Sequence, residues 1–264
     1  MRGNALEKMC RAVGDILMKS ERALFVTGAG ISADAGIPTY RGVGGLGCHR
    51  AADPCLDLER ELDSDMLQHD PGRAWRMYRE LEGECRTLGP DPAHDMFAEY
   101  SRQHGGTWTV TVNVDGLHRS AMTPNLIEVN GNLRDVKCTV CTWEAALPSY
   151  GCLSEVPACP MCDSVVRPKI SLLGEPPMKP AVHALEEELA RGFDVVACIG
   201  TSGISKTVDR LVQWTRERGT PLVEINVGDS AIARAANIRI PVSASVGITE
   251  VVTSIRSRPH PRAA

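Results

Sequence analysis

Short apolar runs recur along the chain at residues 23–27, 107–112, 126–129, 195–199 and 222–225, and each is followed within a residue or two by Gly, Asn or Ser. Short, mainly apolar runs that end at such residues read as buried strands, as in a parallel sheet. Between them, segments such as 181–191 and 204–217 carry apolar residues at helical spacing. The chain also opens with Leu6, Met9, Val13, Ile16 and Leu17 on one helical face. This alternation predicts an α/β fold with a doubly wound, parallel, Rossmann-like sheet. Two segments break it. Residues 43–106 read as a long helical insertion with Trp75, Tyr78 and Leu81 on one face, and residues 138–169 are rich in Cys, Pro and Gly with little periodicity. Both are assigned to a smaller module, leaving 1–42, 107–137 and 170–264 for the large domain. No internal repeat is visible, and the tail SRPHPRAA reads as disordered.

Composition narrows the partners. A chain of 264 residues that is 43% hydrophobic can bury one large core with a smaller module attached. Its formal net charge of -4 argues against a general attraction to nucleic acid or to an anionic membrane, so neither is expected as a partner. The N-terminal segment has no continuous apolar stretch of the signal-peptide kind, and no later stretch is long enough to span a bilayer, so a cytoplasmic location is expected. Ten cysteines in that compartment read as metal ligands or buried thiols and not as disulfides.

Four of the ten stand apart by spacing. Cys138-Thr-Val-Cys141 is followed, seventeen residues later, by Cys159-Pro-Met-Cys162. Two such knuckles can fold back so that four thiolates meet tetrahedrally at one zinc ion, with no position left open for a substrate. The expected zinc is therefore structural. Cys10, Cys48, Cys55, Cys85, Cys152 and Cys198 show no spacing that assigns them a role.

The first apolar run enters GAGISADAGIPTYRG at residues 28–42. Glycines directly after a first strand let the backbone approach a pyrophosphate, which makes Gly28, Ala29 and Gly30 the expected phosphate-side residues. Ala33 stands where a dehydrogenase fingerprint has its third glycine, and no acidic residue ends a second strand about 20 positions on, so hydride transfer is disfavoured. Three further polar groups sit at predicted strand ends: Asn113, Asp115 and His118 in TVNVDGLH, Gly200-Thr201-Ser202, and Glu224-Ile-Asn226. Ligands of doubly wound sheets bind at that edge. The competing role for Asn113 and Asp115 is to cap a turn.

These segments, with EVNGNL, the paired CxxC knuckles, CPMCDSVVRPKISLLGE, IGTS and EIN, resemble the sirtuins in order and approximate spacing from about residue 22 to residue 246. The resemblance implies that NAD is consumed as a substrate. It implies that Gly28, Ala29 and Gly30 face the phosphates and that Gly200, Thr201 and Ser202 lie near the phosphates and ribose. Asn226 would meet the adenosine ribose, and Ile37, Asn113 and Asp115 would line the nicotinamide pocket. Tyr40 and Arg41 would belong to a loop over the cofactor. The best-known reaction of that family removes acyl groups from protein lysines, so an acyl-lysine peptide is one implied partner.

The departures fall on the reacting side. Val112 replaces the glutamine usual in TQNIDG, Asn130 replaces the histidine of ELHGN, and Ser171, Leu172 and Leu173 stand in a segment that usually resembles RPDVVWFGE. The histidine is the family's base for acyl migration, and an asparagine amide has no usable basicity. Nicotinamide loss does not need that base, and Asn113 and Asp115 remain to support it. The leading expectation is therefore ADP-ribose transfer to a protein, a small molecule or water. A lysine deacylase, natural or carrying an engineered His-to-Asn change, is the first alternative, and a non-catalytic NAD sensor is the second. A substitute base at His118 is set against a structural role there, which is favoured. A desuccinylase is disfavoured because Tyr78 is followed by Leu81 where that subgroup carries a Tyr-x-x-Arg pair.

Overall fold

A computed structural model describes residues 2–37, 64–172 and 174–257 of the chain. After helix α1 (Arg2–Lys19), strand β1 (Ala23–Thr27) runs into the short helix α2 (Ala29–Asp34). Helices α3 (Ser64–His69), α4 (Pro71–Leu88) and α5 (Pro92–Gln103) precede β2 (Thr107–Thr111), the single turn α6 (Leu117–Ser120) and β3 (Leu126–Glu128). Strands β4 (Gly131–Cys138), β5 (Glu144–Ala146) and β6 (Val166–Ile170) follow. The chain then alternates through α7 (Lys179–Arg191), β7 (Val195–Ile199), α8 (Lys206–Arg218), β8 (Leu222–Ile225), β9 (Ile238–Ile240) and α9 (Ala244–Arg256).

Six strands form one sheet in the order β3-β2-β1-β7-β8-β9, with every neighbouring pair parallel. All five apolar runs are strands of it. β1, β7 and β8 are buried at every position because helices cover both faces. The two-residue period of extended chain divides their side chains. Phe25, Ala197, Ile199, Val223 and Ile225 pack with residues of α1, α5 and α9, whereas Leu24, Val26, Val196, Cys198 and Leu222 pack with residues of α7 and α8. The ninth strand escaped the reading because it is three residues long and carries Arg239 at its centre.

The smaller lobe is an antiparallel sheet in the order β5-β4-β6, packed against α4. Asp70 caps α4 by accepting the Arg73 N–H at 2.9 Å, and Pro71 occupies the first turn, where its missing N–H costs nothing. Trp75 is the centre of this core. Its Nε1 donates to the Val166 carbonyl at 2.8 Å, and its ring meets Tyr78 and Tyr150 edge-on at 5.7 and 5.4 Å.

The helical insertion expected over 43–106 is divided between the two cores. α4 faces the ribbon, but Ala93, Phe97 and Tyr100 of α5 pack on the large sheet, Phe97 meeting Phe25 at 4.8 Å. Both helices show one apolar face, and periodicity alone does not say which core receives it. The small sheet also begins at Gly131, within the stretch 107–137 expected for the large domain. Residues 38–63, Leu173 and the tail 258–264 lie outside the described residues.

Candidate functional site

The strand order reverses direction between β1 and β7, so the loops leaving their carboxyl ends flank a crevice. Those two loops touch backbone to backbone. Gly30 N–H donates to the Gly200 carbonyl at 2.7 Å and Gly28 N–H to the Ile199 carbonyl at 3.1 Å. A Cβ on Gly30 would lie 2.6 Å from the Gly200 Cα, and one on Gly200, whose φ is +59°, would lie 2.7 Å from the Ile31 nitrogen. No side chain fits either place. In this structure the amides of Gly28 and Gly30 are thus spent in joining the two loops, and the glycines set how closely the floor of the crevice closes. Ala29 opens α2, Ala33 is exposed, and Ile37 is half-buried against the small lobe's core.

Asn113 and Asp115, beyond the end of β2, are tied to α2 through Ser32. Asn113 Nδ2 donates to the Gly28 carbonyl at 3.0 Å and to Ser32 Oγ at 2.9 Å. Ser32 Oγ donates to Asp115 Oδ2 at 2.6 Å, and Asp115 Oδ1 accepts the Leu117 N–H at 2.8 Å. Both amide protons of Asn113 are committed inward, which leaves its Oδ1 without a protein donor among the described residues. Val114, between the two, packs into the core of the small lobe. The sequence reading missed Ser32. Its signal was a hydroxyl within GAGIS that is buried in the structure at 3% exposure, where a polar group must find partners. Turn capping does occur at Asp115, through Leu117, but Asn113 is linked to Gly28 at the end of the neighbouring strand β1.

Asn130 lies beside the same strand end. Its Nδ2 donates to the Val112 carbonyl at 2.8 Å, and its own carbonyl accepts the Ser171 N–H at 2.8 Å. The segment after β6 is therefore strapped to Asn130. Arg167 closes that segment with a two-pronged ion pair to Glu175 at 2.6 and 2.7 Å, Glu175 accepts the Leu172 N–H, and Leu172 is buried in the small lobe's core. Tyr78 is fully buried beside this pair, and its successor at the fourth position, Leu81, packs against the same core.

His118 is not available as a base. It is 2% exposed, its Nε2 lies 2.9 Å from Thr27 Oγ1, and its Nδ1 lies 3.3 Å from Thr123 Oγ1. Burial, helped by the neighbouring His94, pushes its pKa down to about 3. The structural role expected for it holds. Asp91 caps α5 beneath it: burial raises the carboxyl's pKa, but hydrogen bonds from the His94 ring and backbone and from Ser245 outweigh this and hold it at about 2.

On the other side of the crevice, Thr201 is buried and Ser202 exposed. Asn226 Nδ2 donates to the Thr201 carbonyl at 3.1 Å, which brings the IGTS and EIN motifs together. Tyr40 and Arg41 lie outside the described residues.

The four knuckle cysteines converge. All four Sγ atoms lie within 4.8 Å of one another, with Cys138 and Cys162 at 3.5 Å and Cys141 and Cys159 at 3.6 Å. Four thiolates at about 2.3 Å from one zinc ion would stand about 3.8 Å apart, so the donor set fits that ion. Backbone N–H groups of Val140 and Cys141 point at Cys138 Sγ, and that of Met161 at Cys159 Sγ, as suits sulfur carrying negative charge. With four sulfur donors such a site is structural. Cys10, Cys85 and Cys198 are buried free thiols, raised by burial to about 11, 12 and 12 and correspondingly unreactive.

Fold and site together define a doubly wound nucleotide-binding protein with a zinc ribbon inserted beside the crevice. The chain belongs to the Sir2 family, whose model matches residues 28–207. It is 34% identical over 246 residues to the NAD-dependent protein deacylase 2 of Pseudomonas aeruginosa, covering 92% of this chain and 96% of that protein. It is 35% identical over 254 residues to the NAD-dependent protein deacylase of Pyrococcus furiosus, covering 94% and 98%. Among solved structures, a mutant Sir2 homologue bound to ADP-ribose matches with a TM-score of 0.85 at 29% identity over 93% of this chain and 96% of that one. A Sir2 homologue bound to NAD matches at 0.82 and 28% identity, over 97% and 94%. No helix among the described residues is long and apolar enough to cross a membrane.

Proposed function

We propose that this protein is a sirtuin-type enzyme that cleaves the nicotinamide–ribose bond of NAD and passes the ADP-ribose to a protein side chain, a small molecule or water. NAD would lie along the crevice with its pyrophosphate by the β1 and β7 loops, its adenosine ribose by Asn226 and its nicotinamide ribose by Asn113 and Asp115. When the C1′–N bond breaks, its electron pair leaves with nicotinamide and C1′ becomes cationic. The Asp115 carboxylate and the undonated Oδ1 of Asn113 supply negative charge and dipole to that carbon from positions fixed by Ser32. An acceptor oxygen or nitrogen then bonds to C1′ and loses its proton to solvent.

The observation that carries the reading is Asn130. An amide whose nitrogen is committed to the Val112 carbonyl stands where acyl migration needs a base, and the imidazole of His118 is buried, with its pKa pushed down to about 3 and its basicity lost with it. The bond-breaking groups are intact while the proton acceptor of the later step is missing.

Lysine deacylation is the second reading, favoured by the activity that the two relatives above carry in their names. The two separate at Asn130→His. If only the base is missing, that variant deacetylates an acetyl-lysine peptide about 10²- to 10⁴-fold faster than the natural chain, measured by the loss of acetyl mass. Equal deacetylation by the natural chain and the variant would sink the transfer reading.

A further inference from the structure

The loop after β8 is held from below by a buried carboxylate. Glu224, next but one before Asn226, is wholly buried, and the parallel pairing of β8 and β9 sets Arg239 directly beside it. Arg239 Nε faces Glu224 Oε2 at 3.2 Å as an ion pair, although the angle is not that of a hydrogen bond. The same guanidinium donates through Nη2 to the Gly228 carbonyl and lies 3.5 Å from Asp229. Ser230 Oγ donates to the other oxygen of Glu224 and accepts the Ile232 and Ala233 N–H groups, both at 3.1 Å. Ala231 N–H then reaches the Ser202 carbonyl at 3.1 Å. Residues 226–233 are thereby fastened at both ends of the turn and to the β7 loop. Val227 and Ile204, on the two loops so joined, are 68% and 66% exposed.

We infer that Arg239, with Glu224 and Ser230, is a positioning clip for the adenosine end of the dinucleotide site. This rests on the reading above, in which Asn226 meets the adenosine ribose. A buried carboxylate is retained against its desolvation cost only when it is paired, and here each partner of Glu224 also bonds the backbone of the loop that carries Asn226. Removing the guanidinium frees the Gly228 carbonyl and leaves the turn free to move, while Asn113, Asp115 and Ser32, at the other end of the crevice, are untouched. Affinity for the adenosine end should fall and the bond-breaking step should not.

The test is Arg239→Ala, with Ser230→Ala as a milder second variant and Arg239→Lys as the conservative one. Steady-state nicotinamide release should show the KM for NAD raised about tenfold and kcat within about twofold, the pattern of lost uniform binding. Calorimetric titration with ADP-ribose should weaken by the same factor, inhibition by nicotinamide mononucleotide, which has no adenosine, should not change, and Arg239→Lys should recover part of the loss. ADP-ribose binding unchanged in both alanine variants would overturn the clip. So would equal weakening of ADP-ribose and nicotinamide mononucleotide, since that reports general loosening. If the natural protein itself binds nicotinamide mononucleotide but no ADP-ribose, the placement of the dinucleotide fails, and the clip with it.

Discussion

Asp115→Ala is expected to slow nicotinamide release from NAD by about 10²- to 10³-fold, the range seen when one preorganised charge-stabilising group is removed from a reacting centre. The carboxylate is held by two donors, the Ser32 hydroxyl at 2.6 Å and the Leu117 amide at 2.8 Å, so it needs no rearrangement as charge develops. Its removal also leaves Ser32 without its acceptor, and Ser32 is what joins Asn113 to α2. Because the two residues act through one hydroxyl, the double change Asn113→Ala/Asp115→Ala should cost little more than the single one. Ser32→Ala should fall between natural and Asp115→Ala rates, since the charge stays but its orientation is lost. Initial-rate chromatography of nicotinamide measures the natural chain and all three variants. A loss of less than about tenfold for Asp115→Ala would remove it from the bond-breaking step.

Loss of the metal is the second large effect. Chelation, or Cys138→Ser, is expected to disorder the small lobe while the six-stranded sheet stays intact, because the four thiolates hold together the two knuckle loops, and Cys138 and Cys159 are themselves part of the lobe's buried core. Structural zinc contributes about 10–16 kcal/mol of apparent binding free energy in isolated finger peptides. Trp75 packs on that core and Val114 sits in it between Asn113 and Asp115, so the disturbance reaches the crevice. Nicotinamide release should fall at least about tenfold, the near-ultraviolet dichroism of Trp75 and Tyr150 should be lost, and the far-ultraviolet signal of the large domain should largely remain. Zinc added back should restore both. Activity unaffected by complete removal of zinc, verified by metal analysis, would show that the ribbon does not support the site.

The large sheet was legible in the sequence because its strands are covered on both faces, so Ala23–Thr27, Val195–Ile199 and Leu222–Ile225 are mostly apolar, with Glu224 the one charged residue within them. The polar residues that follow them stand at the carboxyl edge for the same reason, since a buried strand must end where it meets solvent or ligand. The metal ligands were legible through spacing alone. What remained hidden depends on contacts between distant segments. The face of α5 is as apolar as that of α4, and only the fold sends Phe97 to Phe25 and Trp75 to Val166. Ser32 is one serine within a motif already explained by its glycines, and its importance appears only when Asn113 and Asp115 arrive from 81 and 83 residues away. Gly28 and Gly30 read as residues that let the backbone approach a pyrophosphate, and that their own amides donate to the β7 loop appears only in the fold.

Cleavage of NAD without an acyl-lysine acceptor is what separates transfer from deacylation. Nicotinamide released from NAD by the natural protein should be measured with and without a saturating acetyl-lysine peptide, together with the mass of the ADP-ribose product. The proposal predicts release without peptide, a rate changed less than about twofold by its addition, and ADP-ribose either free or attached to a non-acyl acceptor. Release that appears only with the peptide, accompanied by acetyl-ADP-ribose, would contradict it and establish Asn130 as a tolerated substitution in a working deacylase.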